Sequence, residues 1–150
     1  PDGSVKKQAG PPFSRGGYRY DPVDLLKREK QFLHDMNGRC VPRLIEEGAD
    51  WIVMEHGGNE LNASNLPHDW PARLDAVVEA LAHERIIHRD IKPGNLLVRD
   101  GEFILKDFGW AIRTGETPFV SPRELAGDVP TKMIYDNRAA LEWLIGLYLN

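Results

Sequence analysis

Residues 86–109, IIHRDIKPGNLLVRDGEFILKDFG, concentrate the side chains that can do chemistry. Asp90 is followed by Lys92 two positions on and by Asn95 three beyond that, with Asp107 further along. A carboxylate can accept a hydroxyl proton, an ammonium can neutralise an anionic group, and Asn95 with Asp107 offers hard oxygen ligands for Mg²⁺. Phosphoryl transfer asks for these parts: a base near the attacking hydroxyl, a metal clamp on the phosphates and a cation for the migrating charge. Leu96-Leu97-Val98, the turn Asp100-Gly101, and Phe103-Ile104-Leu105 predict a hairpin that brings Asn95 and Asp107 together.

His88-Arg89-Asp90-Ile91-Lys92-Pro93-Gly94-Asn95 resembles the catalytic loop of the eukaryotic-type protein kinase superfamily, and Asp107-Phe108-Gly109 resembles its metal-binding loop. The two occur in the right order, and the resemblance extends from about residue 21 to 145. It implies Asp90 as the catalytic base, Lys92 on the γ-phosphate, and Asn95 and Asp107 as Mg²⁺ ligands, with ATP as phosphoryl donor. Lys92 at that spacing resembles serine/threonine-type kinases more than tyrosine-type ones. Gly109 is expected to let the backbone turn after the metal ligand. His88 reads as a structural histidine, and Arg89 as a partner for a phosphorylated residue or for a carboxylate.

The elements upstream must position this loop. Glycines and prolines punctuate residues 1–22, which reads either as an irregular lead-in or as a turn and short strand over DGSVKKQ carrying Lys6 or Lys7. Asp21-Pro22-Val23-Asp24 predicts a helix start, and Leu25, Leu26, Glu29, Phe32, Leu33 and Met36 form one stripe ending at Asn37-Gly38. Glu29 sits among apolar neighbours, where a carboxylate needs a cationic partner. The resemblance makes Lys6 or Lys7, 23 and 22 residues earlier, the lysine that holds the ATP phosphates and pairs with Glu29; Arg28 and Lys30 are the local alternatives. Two strands are predicted around residues 43–46 and 51–55, joined by the turn 47–50. By the same resemblance Met54 guards the back of the nucleotide pocket, and Glu55, His56 and Gly57 form the adenine-binding hinge. The glycine-rich GxGxxG pattern does not occur: either it lies outside the sequence, or nucleotide binds without it.

Further on, Asp69-Trp70-Pro71 predicts a capped helix with a core stripe of Leu74, Val77, Val78, Leu81 and Ala82, leading to a buried strand at Ile86-Ile87. Ser121-Pro122-Arg123-Glu124 resembles the end of a kinase activation segment with one residue inserted. That segment is short, with Thr114, Thr117 and Ser121 as possible phosphosites. Residues 131–149 read as one apolar helix, in which Asp136 resembles the aspartate that braces the catalytic-loop backbone.

With 150 residues, 41% hydrophobic and 28% charged, the chain suits one soluble globular domain. The resemblance implies a kinase-like fold, α+β and two-lobed, with residues 1–57 as a reduced antiparallel N-lobe and hinge and 58–150 as a truncated, mainly helical C-lobe. The net charge of -4 points away from nucleic acid and anionic membrane partners. Cys40, the one cysteine, excludes an internal disulfide, reads as a small buried apolar residue and fits the cytoplasm. Opening on Pro1 and short for a kinase, the sequence reads as an excised or reduced version. The expected reaction is Mg-ATP-dependent transfer to a hydroxyl, first of a protein serine or threonine. A small-molecule or glycan acceptor and a catalytically silent nucleotide-binding module are the alternatives.

Overall fold

A computed structural model describes residues 3–149, so Asp2 of the expected opening turn lies outside the described residues. The first half contains β1 (Ser4–Gln8), β2 (Phe13–Arg15), β3 (Tyr18–Tyr20), α1 (Pro22–Met36), β4 (Leu44–Glu47), β5 (Trp51–Glu55) and β6 (Asn59–Glu60). Then follow α2 (Trp70–His83), β7 (Ile86–Ile87), β8 (Leu96–Arg99), β9 (Glu102–Leu105), β10 (Ile112–Arg113), α3 (Pro122–Ala126), α4 (Thr131–Ile134) and α5 (Asn137–Gly146). The fold is mixed α and β, and every strand pairing among the described residues is antiparallel.

A three-stranded sheet, β1-β5-β4, carries the lysines, with Lys7 opposite Ile52 and Lys6 opposite Val53. Alternation along β1 therefore sends the two ammonium groups to opposite faces. Helix α1 packs on β4 and begins where Asp21 accepts the Val23 amide at 3.0 Å, a cap that contributes about 1 kcal/mol. It ends at Asn37, held left-handed at φ 49° with its N–H on Leu33 O. Leu26, Phe32, Leu33 and Met36 bury the stripe expected of this helix, and Glu29 is buried among them.

A second sheet, β6-β8-β9, contains the hairpin between Asn95 and Asp107, its turn made by Asp100 and Gly101 at φ 52° and 76°. Helix α2 packs on β9 and on α5, and one continuous apolar cluster links α1, β5, α2, β8, β9, Phe108 and α5. None of the described helices is long and apolar enough to cross a membrane.

Several local expectations need correction. Residues 13–20 form an ordered hairpin, because Gly16 and Gly17 at φ 58° and 83° supply the two-residue turn that joins antiparallel strands. Asp69 makes no side-chain cap on α2 but pairs with Arg73 at 3.0 Å, and Ala80 is buried where Ala82 is exposed. The expected helix over 131–149 breaks at Tyr135-Asp136, where Asp136 accepts the Ala139 amide and starts α5 afresh. Cys40 is half-buried, with a left-handed backbone at φ 60°.

Candidate active site

Strand β7 delivers the chain into a loop whose backbone is pinned from several sides. His88 is fully buried; its Nε2–H donates to Lys106 O at 2.9 Å, and its Nδ1 accepts the Asp90 amide at 3.0 Å. This pattern defines a neutral imidazole, and burial pushes its pKa down to about 4, against the pull of Lys106 O and Asp107. The structural reading of His88 agrees with these contacts. Asn137, not Asp136, braces the loop: its Oδ1 accepts the His88 amide at 3.0 Å and its Nδ2 donates to Ile86 O at 2.8 Å. Asp136 is spent on its own helix cap.

Asp90 is 4% exposed. Burial pushes its carboxyl up to about 6; Lys92 pulls it down and Asp107 adds to the rise. Asn95 Nδ2 donates to Asp90 O at 2.8 Å and to Oδ2 at 3.2 Å, while Lys92 Nζ stands 3.7 Å from Oδ1. The Lys106 amide donates to Asn95 O at 2.9 Å, which fixes the loop of Asp90 and Asn95 beside Asp107. The left-handed residue there is Asp107 itself, at φ 68°, and not Gly109.

Lys7 reaches this cluster from β1. Its Nζ lies 2.7 Å from Glu29 Oε1 and 3.2 Å from Asp107 Oδ1. Burial lowers the Lys7 pKa, but the two carboxylates outweigh it and the net shift is upward. Burial raises Asp107, and Lys7 more than reverses this, holding it below the usual carboxylate range. Glu29 Oε2 accepts the Phe108 amide at 2.9 Å. Lys6, on the outer face, lies over the Trp51 ring at 5.1 Å, so Lys7 and not Lys6 is the partner of Glu29. Arg28 turns to Ala111 O and Glu116, and Lys30 to the carbonyls of Gly48 and Ala49, so neither local alternative serves Glu29.

Met54, Glu55, His56 and Gly57 line a cavity of about 330 Å³ together with Val5 and Leu97. The His56 amide is bonded to Gly3 O at 2.5 Å and its carbonyl accepts Arg99 at 3.1 Å. The Glu55 side chain pairs with Arg99 at 3.2 Å. Gly57 is the member of this trio whose backbone groups make no hydrogen bond among the described residues.

Arg89 is buried, donating from Nε to Trp110 O at 2.8 Å and from Nη1 to Phe119 O at 2.6 Å and Glu124 Oε1 at 3.2 Å. Of the two partners expected for it, the structure supplies the carboxylate. Ser121 is fully buried and caps α3 through a reciprocal bond with Glu124, a placement closed to a modifying enzyme. Sequence reasoning also missed Phe13 and Arg15, which line a cavity of about 410 Å³ with Asp90 and Lys92. The signal was present: two short runs with aromatic ends around Gly16-Gly17 are a hairpin signature.

Mg²⁺ fits the residues present. Asn95 turns its amide nitrogen toward Asp90, leaving Oδ1 as an acceptor, and Asp107 offers Oδ2 beyond its contact with Lys7. One neutral and one anionic hard oxygen make a donor set that Mg²⁺ completes with phosphate oxygens and water. No group of three or more His, Cys, Asp or Glu side chains able to hold a metal occurs among the described residues.

Lys7, Glu29, Asp90, Asn95 and Asp107 are thus brought together in the order that the resemblance to protein kinases implies. No family model matches the chain. It is 29% identical over 148 residues to the probable serine/threonine-protein kinase pknA2 of Bifidobacterium longum, covering 87% of this chain and 20% of that protein. Aurora kinase C of Mus musculus is 30% identical over 144 residues, covering 81% of this chain and 51% of the relative. The serine/threonine-protein kinase KIC1 of Saccharomyces cerevisiae is 26% identical over 148 residues, covering 85% and 14%. The chain thus resembles serine/threonine protein kinases over most of its length, and spans about half or less of these relatives.

Proposed function

We propose that this protein transfers the γ-phosphoryl group of ATP to an alcoholic hydroxyl, with Mg²⁺ held by Asn95 and Asp107. The observation that carries the reading is the linkage of Lys7, Glu29, Phe108 and Asp107, which joins the β1 lysine to the metal loop beside Asp90. Bound Mg²⁺ would supply charge neutralisation on the phosphate oxygens. Lys7 orients the α- and β-phosphates and is itself oriented by Glu29. Met54, Glu55 and Gly57 border the adenine cavity, with Gly57 offering free backbone groups. Asp90 accepts the acceptor's proton, and Lys92 neutralises charge on the γ-phosphate.

In this reading residues 1–57 act as a reduced N-lobe with hinge and 58–150 as part of a helical C-lobe, in a single cytoplasmic domain. Likeness to serine/threonine kinases and Lys92 support a protein serine or threonine as acceptor. A small hydroxyl compound is the second reading, favoured by the β2–β3 hairpin that walls the cavity at Asp90. Incubation with Mg²⁺ and γ-labelled ATP tests the reaction: label should leave ATP with the wild type and stay on it with Asp90→Asn. Equal turnover by both would remove Asp90 from the mechanism.

A further inference from the structure

We propose that the cavity at Asp90 is an acceptor site for a small polyhydroxylated anion, a sugar carboxylate or sugar phosphate, selected by Arg15 and Arg123. The proposal rests on the second acceptor reading above and gives it a substrate class. At about 410 Å³ the cavity lies in the range of small-ligand sites. Asp90 and Lys92 stand on one side of it, Arg15 comes from the hairpin, Arg123 from α3, and Trp110 and Trp143 supply aromatic surface.

The hairpin is a packed wall rather than a loose arm. Tyr20 is buried, its hydroxyl donates to Val120 O at 2.5 Å, and its ring meets Trp110 edge-on at 5.2 Å and Phe13 at 5.3 Å. Gly16 abuts Leu125 of α3 so closely that a Cβ there would lie 3.0 Å from the leucine methyl. The hairpin therefore spans from the lysine strand to α3 and walls one side of the cavity at Asp90.

The charge points to an anion. Arg123 is 9% exposed and lies over the Trp143 ring at 5.4 Å, yet its Nε–H has no hydrogen-bond acceptor. The nearest carboxylate, the exposed Asp128, is 3.7 Å away. A buried donor left without an acceptor is unfavourable, and a carboxylate or phosphate oxygen would satisfy it with a charge-assisted bond. Arg15 is exposed and has no ion-pair partner among the described residues. Three cations line the cavity, Arg15, Arg123 and Lys92, against two carboxylates, Asp90 and Asp128. This excess of positive charge leaves room for a ligand bringing its own negative charge, while Trp110 and Trp143 suit the apolar faces of a sugar ring. In the reaction the acceptor oxygen bonds to the γ-phosphorus, its proton passes to Asp90, and the bond from that phosphorus to the β-phosphate oxygen breaks, releasing ADP.

Titration of tryptophan fluorescence in the full chain with glucuronate, glucose 6-phosphate, glucose and a serine-bearing peptide tests the site without requiring turnover. At least one anionic sugar should bind about tenfold or more tighter than glucose, and Arg15→Gln and Arg123→Gln should each remove most of that preference. Arg15 is exposed, so its variant reports on selection without a folding defect. Preference for glucose 6-phosphate over glucuronate would assign the phosphate as the anion, and the reverse the carboxylate. Equal binding of glucose and both anions, or tighter binding of the peptide, overturns the proposal. Selective anion binding with no ATP turnover would uphold this site and remove the phosphotransfer reading, so the two fail separately.

Discussion

Lys7 Nζ lies 2.7 Å from Glu29 Oε1, across 22 residues of sequence, and this pair joins the β1 strand to α1. Glu29 is 1% exposed, and its other oxygen holds the Phe108 amide, so the carboxylate also fixes the backbone that presents Asp107. Lys7→Met would leave a buried carboxylate with that amide alone. The expected cost is about 1–2 kcal/mol, less than for a fully buried pair because Lys7 is 38% exposed. Lys6→Met, which removes only a contact over Trp51, should leave both stability and ATP affinity near wild type. Thermal melts and nucleotide titrations of the two variants check this. Unchanged ATP affinity in Lys7→Met would take Lys7 off the phosphates.

If Asp90 is the base of the proposed reaction, it couples activity to pH. A base must be ionised, so turnover should rise as pH passes through about 6, where burial has placed the carboxyl. Stability runs the other way. The folded state holds this proton more tightly than the unfolded chain between 3.8 and about 6, so stability falls as pH rises through that window. Above it, ionised Asp90 costs on the order of 2–3 kcal/mol. Asp90→Asn should therefore abolish turnover while raising the melting temperature at pH 7.5, with the gain gone near pH 3.5. A variant less stable than wild type at pH 7.5 would contradict this account.

His88 carries the opposite sign. Its folded pKa is lowered from 6.5 to about 4, so the unfolded chain takes up a proton first and stability falls as pH drops from 6.5 to about 4. In the wild type this loss overlaps the gain from Asp90 protonation, and the two largely offset. Asp90→Asn should unmask it, with melting temperature falling more steeply between pH 6.5 and 4 than in the wild type. A melting temperature in Asp90→Asn that stays flat from pH 6.5 to 4 would show that His88 does not titrate in that range.

Asn137 and Asp136 are neighbours with different jobs. Asn137→Leu removes two bonds to the backbone that leads into the catalytic loop, and should cost about 2 kcal/mol as well as lowering kcat. Asp136→Ala removes one helix cap, about 1 kcal/mol, with kcat little changed. Melting curves beside single-turnover rates distinguish the two. The reverse ranking in kcat would return the bracing role to Asp136.

The loop, the hairpin between Asn95 and Asp107, and the α1 stripe were legible because each rests on local chemistry: turn residues, spacing and a cap. The Lys7–Glu29 pair was legible only as a choice, since which lysine faces inward depends on the register of β1 with β5. The β2–β3 hairpin hid behind glycines and prolines that usually mark irregular chain. The break before α5 hid because Tyr135 and Asp136 interrupt no apolar periodicity. Arg123 gave no sequence signal: its place beside Asp90 comes from how α3 and α5 pack, and no local pattern encodes that. Gly109 misled because glycine is the usual left-handed residue, whereas here Asp107 takes that conformation.

Mg²⁺-dependent ATP turnover by the purified chain, measured beside Asp107→Ala, tests the central claim most directly. The account predicts measurable phosphoryl release or transfer by the wild type with Mg²⁺, lost without the metal and lost in the variant. No turnover and no nucleotide binding by the wild type, or turnover that survives Asp107→Ala unchanged, would contradict it.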